Sequence, residues 1–404
     1  MPAVAGIPTP GPVPRGSARV IRLELKDPPT IGTTAAGQAI PLGGFSGLRF
    51  LGHTPEGRMR FLTLTDRGPN ADEYEEGDDT KRPFLLPDFQ PRVVFLEADP
   101  KTGLLRVEKQ ILFTRPGGRK FSGLPQRQGN ETPVDLHGRL LPYDPQGGDT
   151  EGVGMLADGT FWVAEEYGPS LLHFSAEGEL IETLKPGNGL PKVLENRRLN
   201  RGFEGFVVDG QTGYAVVQSP LDNPVSKGAK NSKNSRIVRI IAVNLEEKRT
   251  EAQYAYLLES TETDKIGDLA VESPGTLLVV ERDGNEGSGA SKKVYRVKLA
   301  GATNLQLLPD RVAGPGGVLE RTKPEDLAKI KVQPVSKQEV ADLGSFGILP
   351  EKVEGIDVAG DYLAFCTDND FGLAGGLDQK TGLATMKEEK PMLFLLPKGT
   401  WRTR

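Results

Sequence analysis

Asp149-Thr150-Glu151-Gly152-Val153-Gly154-Met155-Leu156, then Ala157-Asp158-Gly159-Thr160, then Phe161-Trp162-Val163-Ala164-Glu165-Glu166-Tyr167-Gly168, reads as strand, tight turn, strand. Two short apolar runs of β type flank an Asp-Gly turn, the strongest local hairpin signal. A hairpin brings its open ends together. Glu151, which opens the first strand, is therefore expected beside Glu165 or Glu166, which close the second, on one edge of a sheet.

The same unit recurs along the chain. Phe45-Ser46-Gly47-Leu48 leads to Thr65-Asp66-Arg67, and Phe203-Glu204-Gly205-Phe206 leads to Val217-Gln218-Ser219. Ile266-Gly267-Asp268-Leu269 leads to Val280-Glu281-Arg282-Asp283, and Val353-Glu354-Gly355-Ile356 leads to Cys366-Thr367-Asp368-Asn369-Asp370. The spacing is nearly constant, 151 to 165, 204 to 218, 268 to 281 and 354 to 368, with a longer step from 46 to 66 that holds the Gly52–Gly57 loop. Internal repetition of this kind marks a ring or array of like units.

Further strand patterns complete each unit to four strands in meander order, which is one propeller blade. Repeat one is expected at 45–51, 60–66, 92–98 and 104–113; repeat two at 152–156, 161–166, 171–175 and 179–184. Repeat three is expected at 205–208, 213–218, 235–243 and 251–258; repeat four at 268–272, 276–281, 293–299 and 304–308. The fifth, at 355–359, 361–367 and 391–396, is one strand short. The alternating stretch Ala18–Leu25 has no hairpin partner of its own. It is expected to complete the fifth blade, joining the chain ends and removing an exposed sheet edge.

The predicted fold is therefore an all-β propeller of four-stranded blades, with five countable and a sixth open if 115–148 or 310–350 holds a degenerate blade. It forms one domain over 18–404, after a Gly/Pro-rich leader at 1–17 expected to be disordered. The loops at 115–148 and 310–350 are long, and long loops in compact domains are usually functional or disordered. The second carries a short helical signal at Lys323–Ile330, with Pro near its start.

Composition agrees with many strands and turns: 50 glycines and 32 prolines in 404 residues. A net charge of −5 with both signs interspersed shows no basic footprint for nucleic acid. One cysteine, Cys366, excludes an internal disulfide and a thiolate cluster. No apolar run has the length of a membrane span, and no signal-peptide core is present. Oligomeric state is not readable.

In a propeller the first strand of each blade lines the central channel, and the second returns to the same rim. Ser46, Glu151, Glu204, Asp268 and Glu354 are thus expected in an inner ring, and Asp66, Glu165 or Glu166, Gln218, Glu281 and Asp368 in a second. Bare carboxylates so arranged would repel, and a cation or bound arginine relieves this. Oxygen-only ligands suit Ca²⁺. The three histidines, His53, His137 and His173, lack the spacing of a zinc site. Glu-Gly and Asp-Gly also occur as plain turn chemistry, and their repetition at equivalent places sets these apart. Arg67 follows Asp66, Arg282 follows Glu281, and Arg201 precedes Glu204 by three; guanidinium forks suit phosphate oxygens. No Gly-x-Ser-x-Gly elbow is present, although His137 in the long loop could approach the mouth.

These residues resemble the bacterial phytase-like domain family, described as having esterase-like activity. The likeness rests on Gly43-Gly44-Phe45-Ser46-Gly47-Leu48, Thr65-Asp66-Arg67-Gly68-Pro69-Asn70, Asp149-Thr150-Glu151-Gly152, Trp162-Val163-Ala164-Glu165-Glu166-Tyr167-Gly168-Pro169, Gly202-Phe203-Glu204-Gly205 and Val353-Glu354-Gly355-Ile356-Asp357, in order across about 40–370. The family is similar to Ca²⁺-using propeller phosphoesterases, and its members are mostly exported. The resemblance implies hydrolysis of a small-molecule phosphate ester by metal-activated water, in a periplasmic or secreted protein, with a cytoplasmic one as the alternative. A phytate pocket implies a dense Lys/Arg lining, which three arginines do not supply.

On this reading Asp66, Glu151, Glu166, Glu204 and Glu354 hold Ca²⁺, Arg67 and Arg282 hold the phosphate during catalysis, and Glu281 or Asp268 orients the water. Arg201 and His137 are further substrate contacts. Two alternatives stand beside it: a propeller lactonase or carboxylesterase, and a non-catalytic propeller whose channel ion is structural and whose long loops bind a ligand or partner.

Overall fold

The computed structural model describes residues 19–126, 131–223 and 234–401. The leader at 1–17, Arg127 and most of the basic loop between Asn223 and Asn234 lie outside the described residues.

Five four-stranded antiparallel sheets follow one another along the chain. Blade one is built from Phe45–His53, Met59–Thr65, Arg92–Asp99 and Leu104–Leu112; blade two from Thr150–Met155, Phe161–Glu165, Ser170–Phe174 and Leu180–Pro186. Gly189–Leu190 adds a short parallel strand to the edge of blade two. Blade three comprises Phe203–Asp209, Thr212–Val217, Ile237–Asn244 and Arg249–Leu257. Blade four comprises Lys265–Ser273, Thr276–Arg282, Lys292–Lys298 and Ser336–Asp342. Blade five takes Lys352–Ala359, Tyr362–Asp368 and Met392–Pro397, and its outermost strand is Ile21–Glu24, paired in register from Ile21↔Leu395 to Glu24↔Met392.

The first strand of each blade packs against the first strand of the next, and that of blade five packs against that of blade one. The ring is closed, so the fold is a propeller. Apolar layers fill the space between successive blades: Leu62, Val93 and Phe113 with Val163 and Phe174 between blades one and two, and Leu278 and Val294 with Ile356 and Phe365 between four and five. Leu23 of the N-terminal strand is fully buried in the layer that also holds Phe61 and Leu395, so joining the chain ends contributes core as well as hydrogen bonds.

One expected strand lies elsewhere. Residues 304–308 contain a 3₁₀ turn, Leu305–Leu307, capped by the Asn304 side chain, and the fourth strand of blade four is Ser336–Asp342, inside the span expected to be irregular. That strand is the sheet edge. Only Val340 and Ala341 are buried in it, so it lacks the apolar alternation by which strands are recognised. Neither long span holds a sixth blade among the described residues. The helical signal near 323–330 is a 3₁₀ segment, Pro324–Ile330.

The rim over blades one and five is thickened by small added sheets. Asp79–Pro83 pairs with Tyr74–Glu76 and, in parallel, with Thr132–Val134; Leu373–Asp378 pairs with Leu383–Met386. A satellite core of Ile40, Leu85, Phe89, Leu136, Phe371 and Leu373 holds this wall together.

Near its start, each inner strand carries a register shift: between Ser46 and Arg49, Thr150 and Gly152, Phe203 and Gly205, Ile266 and Leu269, and Val353 and Gly355. In blades two, three and five the residue skipped in the ladder is Glu151, Glu204 or Glu354. A bulge re-aims the extra side chain, here toward the axis. The glycine that follows has a separate reason. A Cβ on Gly152 would lie 2.4 Å from the Phe206 amide nitrogen and 2.8 Å from the Gly205 carbonyl carbon, because neighbouring inner strands touch backbone to backbone there. Gly152→Ala is expected to destabilise the chain by about 1–3 kcal/mol through overpacking against main chain, read as a lower midpoint in urea unfolding.

Candidate functional site

The open ends of the inner hairpins surround a cavity of about 1020 Å³ on the propeller axis. The register sets the residues at these strand ends in three tiers, from which Glu151, Glu354, Asp66, Glu166, Gln218, Arg282, Asp368, Lys265 and Lys352 line the cavity, while Asp149 and Glu204 do not. The deepest is the bulge tier, Ser46, Glu151, Glu204, Gly267 and Glu354. Above it the second strands contribute Asp66, Glu166, Gln218, Arg282 and Asp368. The inner-strand residues opposite those are Gly44, Asp149, Gly202, Lys265 and Lys352, as shown by the backbone bonds Asp66 to Gly44, Glu166 to Asp149 and Gln218 to Gly202, and by the pairs Lys265↔Arg282 and Lys352↔Asp368.

In blade two this stacking brings carboxylates together. One oxygen from each of Asp149, Glu151 and Glu166 lies within 4.8 Å of the other two, and all three residues are buried. Glu166 Oε1 has no hydrogen-bond partner, and Asp149 Oδ2 faces Arg67 Nε at 3.1 Å without the alignment of a hydrogen bond. Burial, then Asp149 and Glu204, push the Glu151 and Glu166 carboxyls well above the usual carboxylate range, with Glu354 adding to the shift on Glu151. Orphaned buried oxygens in a set of converging carboxylates are the donor set of a hard cation such as Ca²⁺. The residues present fit one.

The neighbouring Glu165 is a different kind of acid. Its oxygens accept from the amides of Asp149, Tyr167 and Gly168 and from Ser170 Oγ, so it braces the turn that presents Glu166. Glu166 is the one of the pair that reaches the cavity.

The other acids expected to bind metal are differently engaged. Glu204 accepts from Gln218 Nε2 at 2.5 Å and pairs with Arg282 Nη2 at 3.2 Å. Glu354 also pairs with Arg282, and Ser46 Oγ donates to it at 3.4 Å. Burial and the proximity of Glu354 push Glu204 up to about 7. Asp66 lines the cavity with one oxygen held by the Gly68 amide at 2.8 Å, and burial, Asp368 and Asp149 raise it well above the usual range.

Two residues expected to orient water do not line the cavity. Asp268 is fully buried, with both oxygens on Arg49 at 3.0 and 3.1 Å and a further bond from the Ile356 amide. The physical reason is order: blades two, three and five read Glu-Gly, whereas blade four reads Gly267-Asp268, and a one-residue step in a strand turns the side chain to the other face. Glu281 likewise points away, accepting from Tyr256 Oη, Thr263 Oγ1, the Glu259 amide and Lys337 Nζ; its chain neighbour Arg282 takes the place in the tier. His137 is not in the cavity lining either. Its Nδ1 lies 2.8 Å from the Gln379 carbonyl on the exposed rim.

Arg67, Arg201 and Arg282 all line the cavity. Arg67 is matched by Asp149 and Glu131, its Nη1 lying 2.7 Å from Glu131. Arg201 donates to Ser219 Oγ at 3.1 Å. The lining is more cationic than three arginines: Arg82, Arg198, Lys265, Lys352 and Lys387 join them. Lys352 Nζ bridges Asp368 at 2.6 Å and Asp370 at 2.5 Å, and Asn200 Nδ2 ties the 198–201 turn to Glu131 at 2.8 Å. The sequence held a signal for part of this set. Asp149 and Lys352 stand two residues before Glu151 and Glu354, the spacing that puts strand side chains on one face. Glu131 and Arg82, by contrast, arrive on the long-loop wall and carry no periodicity.

A propeller with buried carboxylates converging at its axial mouth beneath a mixed-charge rim is a β-propeller with a polar axial pocket. The chain belongs to the phytase-like family, described as "esterase-like activity of phytase", whose model matches residues 40–371. An uncharacterized secreted protein of Arthroderma benhamiae is 26% identical over 241 residues, covering 46% of this chain and 47% of the relative, so the chain spans about half the length of the curated relative it matches. Among solved structures, a luciferin-regenerating enzyme is similar at TM-score 0.38 and 8% identity, covering 95% of this chain and 97% of the other. A putative 6-phosphogluconolactonase from Bacteroides uniformis is similar at TM-score 0.34 and 12% identity, covering 89% and 92%. No helix of the described residues is long and apolar enough to cross a membrane.

The raised carboxyls set a pH dependence for the metal-free chain. Burial and Asp370 push Asp368 up to about 8, and Glu204 stands at about 7. Acids whose folded pKa lies above the unfolded value bind protons more tightly when folded, so stability is lost as pH rises through that range. The thermal midpoint of chelator-treated protein is expected to rise as pH is lowered from about 8 to about 6. A midpoint that fell over this window would contradict the electrostatics described here.

Proposed function

We propose that the chain is a Ca²⁺-dependent ester hydrolase acting on small phosphate esters at the axial mouth. The observation that carries this reading is the convergence of Asp149, Glu151 and Glu166, with an unpartnered buried oxygen on Glu166, beside a cavity that Arg67 and Arg282 also line. Membership of a family described by esterase-like activity supports it.

Asp149, Glu151 and Glu166 would hold the cation. When bound, such an ion lowers the pKa of a water and polarises the ester oxygen. Glu204 and Glu354 serve a different end: together they fix the Arg282 guanidinium over the pocket, where it and Arg67 meet the negative oxygens of the ester. Asp66 is the candidate proton acceptor. It lines the cavity and the Gly68 amide orients it. The mouth is the way in, because Arg49 crosses the axis below it to reach Asp268 and the Ile356 and Phe206 carbonyls.

A periplasmic or secreted placement accompanies this reading. A relative called secreted and a Ca²⁺-type donor set support it.

The test is turnover of a phosphomonoester, a phosphodiester and a short-chain carboxylic ester by metal-stripped protein, with and without added Ca²⁺. Phosphomonoester hydrolysis is expected to return with Ca²⁺, and Glu166→Gln is expected to lower it on the order of 100-fold at an unchanged fold by circular dichroism. Restoration of carboxylic ester cleavage alone would make the enzyme a carboxylesterase or lactonase. No turnover of any ester, with Ca²⁺ only raising the thermal midpoint, would leave a binding propeller.

A further inference from the structure

Lys265 and Lys352 occupy the same place in the repeat, each opening an inner strand opposite the last residue of its hairpin partner. In blade five that partner is an acid, and Lys352 is held between Asp368 and Asp370. In blade four the partner is Arg282, a second cation, already paired with Glu204 and Glu354. Cross-strand neighbours project to the same side, and like charges set opposite one another are unfavourable unless something answers them.

Arg282 and Arg201 have carboxylates of their own, Glu204 at 3.2 Å and Asp264 at 4.0 Å, but Lys265 has none so close. Lys265 Nζ has no carboxylate within ion-pair distance and no hydrogen-bond acceptor among the described residues, yet its side chain is largely buried and lines the cavity. Burial, then Arg282 and Arg201, pull the ammonium down to about 8. Arg201 stands on the same wall, donates to the Ser219 hydroxyl at 3.1 Å and lies 4.0 Å from Asp264. This wall, between blades three and four, faces the mouth alongside the carboxylate set of blade two.

We propose that Lys265, with Arg201, forms an oxyanion subsite that takes a second anionic group of the substrate, separate from the group met by Arg282 and Arg67. The preferred substrate then carries two anionic groups, as a bisphosphate or a phosphorylated acid does. The inference rests on the reading of the mouth as the substrate pocket. It makes Lys265 a specificity-determining residue, since a monoanionic ester leaves its ammonium unanswered.

Pyridoxal 5′-phosphate is a suitable probe: its phosphate is drawn to an anion site, its aldehyde condenses with a nearby neutral amine, and borohydride fixes the product. Treatment of the full chain at about pH 8 is expected to label Lys265 ahead of the surface lysines, with inorganic phosphate protecting it. Lys265→Gln is expected to weaken inorganic phosphate binding about tenfold or more in calorimetry, with Ca²⁺ binding unchanged, and Lys265→Arg to retain phosphate binding. Labelling spread over many lysines without phosphate protection, or phosphate bound equally by Lys265→Gln, would overturn the subsite. If phosphate binding depends on Lys265 while no ester is turned over, the hydrolase reading fails and the subsite stands. If turnover is Ca²⁺-dependent and indifferent to Lys265 for mono- and bis-anionic esters alike, the reverse holds.

Discussion

Backbone contact between the five inner strands is the constraint from which the rest follows. A ring of five blades leaves little room on the axis, and the strands meet where a side chain cannot fit: a Cβ on Gly205 would lie 2.9 Å from the Asp268 Cα, and one on Gly267 would lie 2.1 Å from the Val353 carbonyl. Glycine therefore recurs once per blade. The bulge beside it displaces one residue from the ladder, and in three blades that residue is glutamate. Structural need and chemical equipment are thus written in the same dipeptide.

Charge balance then sorts these acids into two populations. Glu204 and Glu354 share Arg282, Glu131 is shared by Arg67 and Arg82, and Asp368 is shared with Lys352, so most of the mouth is internally neutralised. Breaking such a buried pair by removing one partner is costly, which ties the rim to the fold. Arg49 does the same on the axis, reaching from blade one to blades three, four and five. What stays without a direct partner among the described residues is Glu166 Oε1 in blade two and the Lys265 ammonium in blade four. These are the places where the molecule still has affinity to offer.

The repeat, the four-stranded blades and the closing role of the N-terminal strand are legible because a period-2 pattern and a recurring dipeptide survive in the chain. Failures came where that signal is weak. The polar edge strand Ser336–Asp342 shows little alternation, so 304–308 stood in its place. By chemistry Asp268 and Glu281 belong in the two rings, but the register sets Asp268 one residue out of line and puts Arg282 where Glu281 is expected. Glu131 and Arg82 reach the cavity on a wall whose packing involves distant segments, with no local pattern to announce it.

By itself, the sequence determined the ring: hydrophobic alternation, turn residues and repeated glycines are local, and each acts within a few residues of where it is written. It also supplied the stock of acids and bases at the mouth. Only the tertiary structure decided which of them remain free. Pairing depends on which side chains meet across blades separated by tens to hundreds of residues, as when Arg282 claims Glu204 and Glu354, and Arg49 claims Asp268. Electrostatic energy falls with distance in space and is indifferent to distance along the chain, so the choice between a structural ion pair and an open ligand is made by the fold.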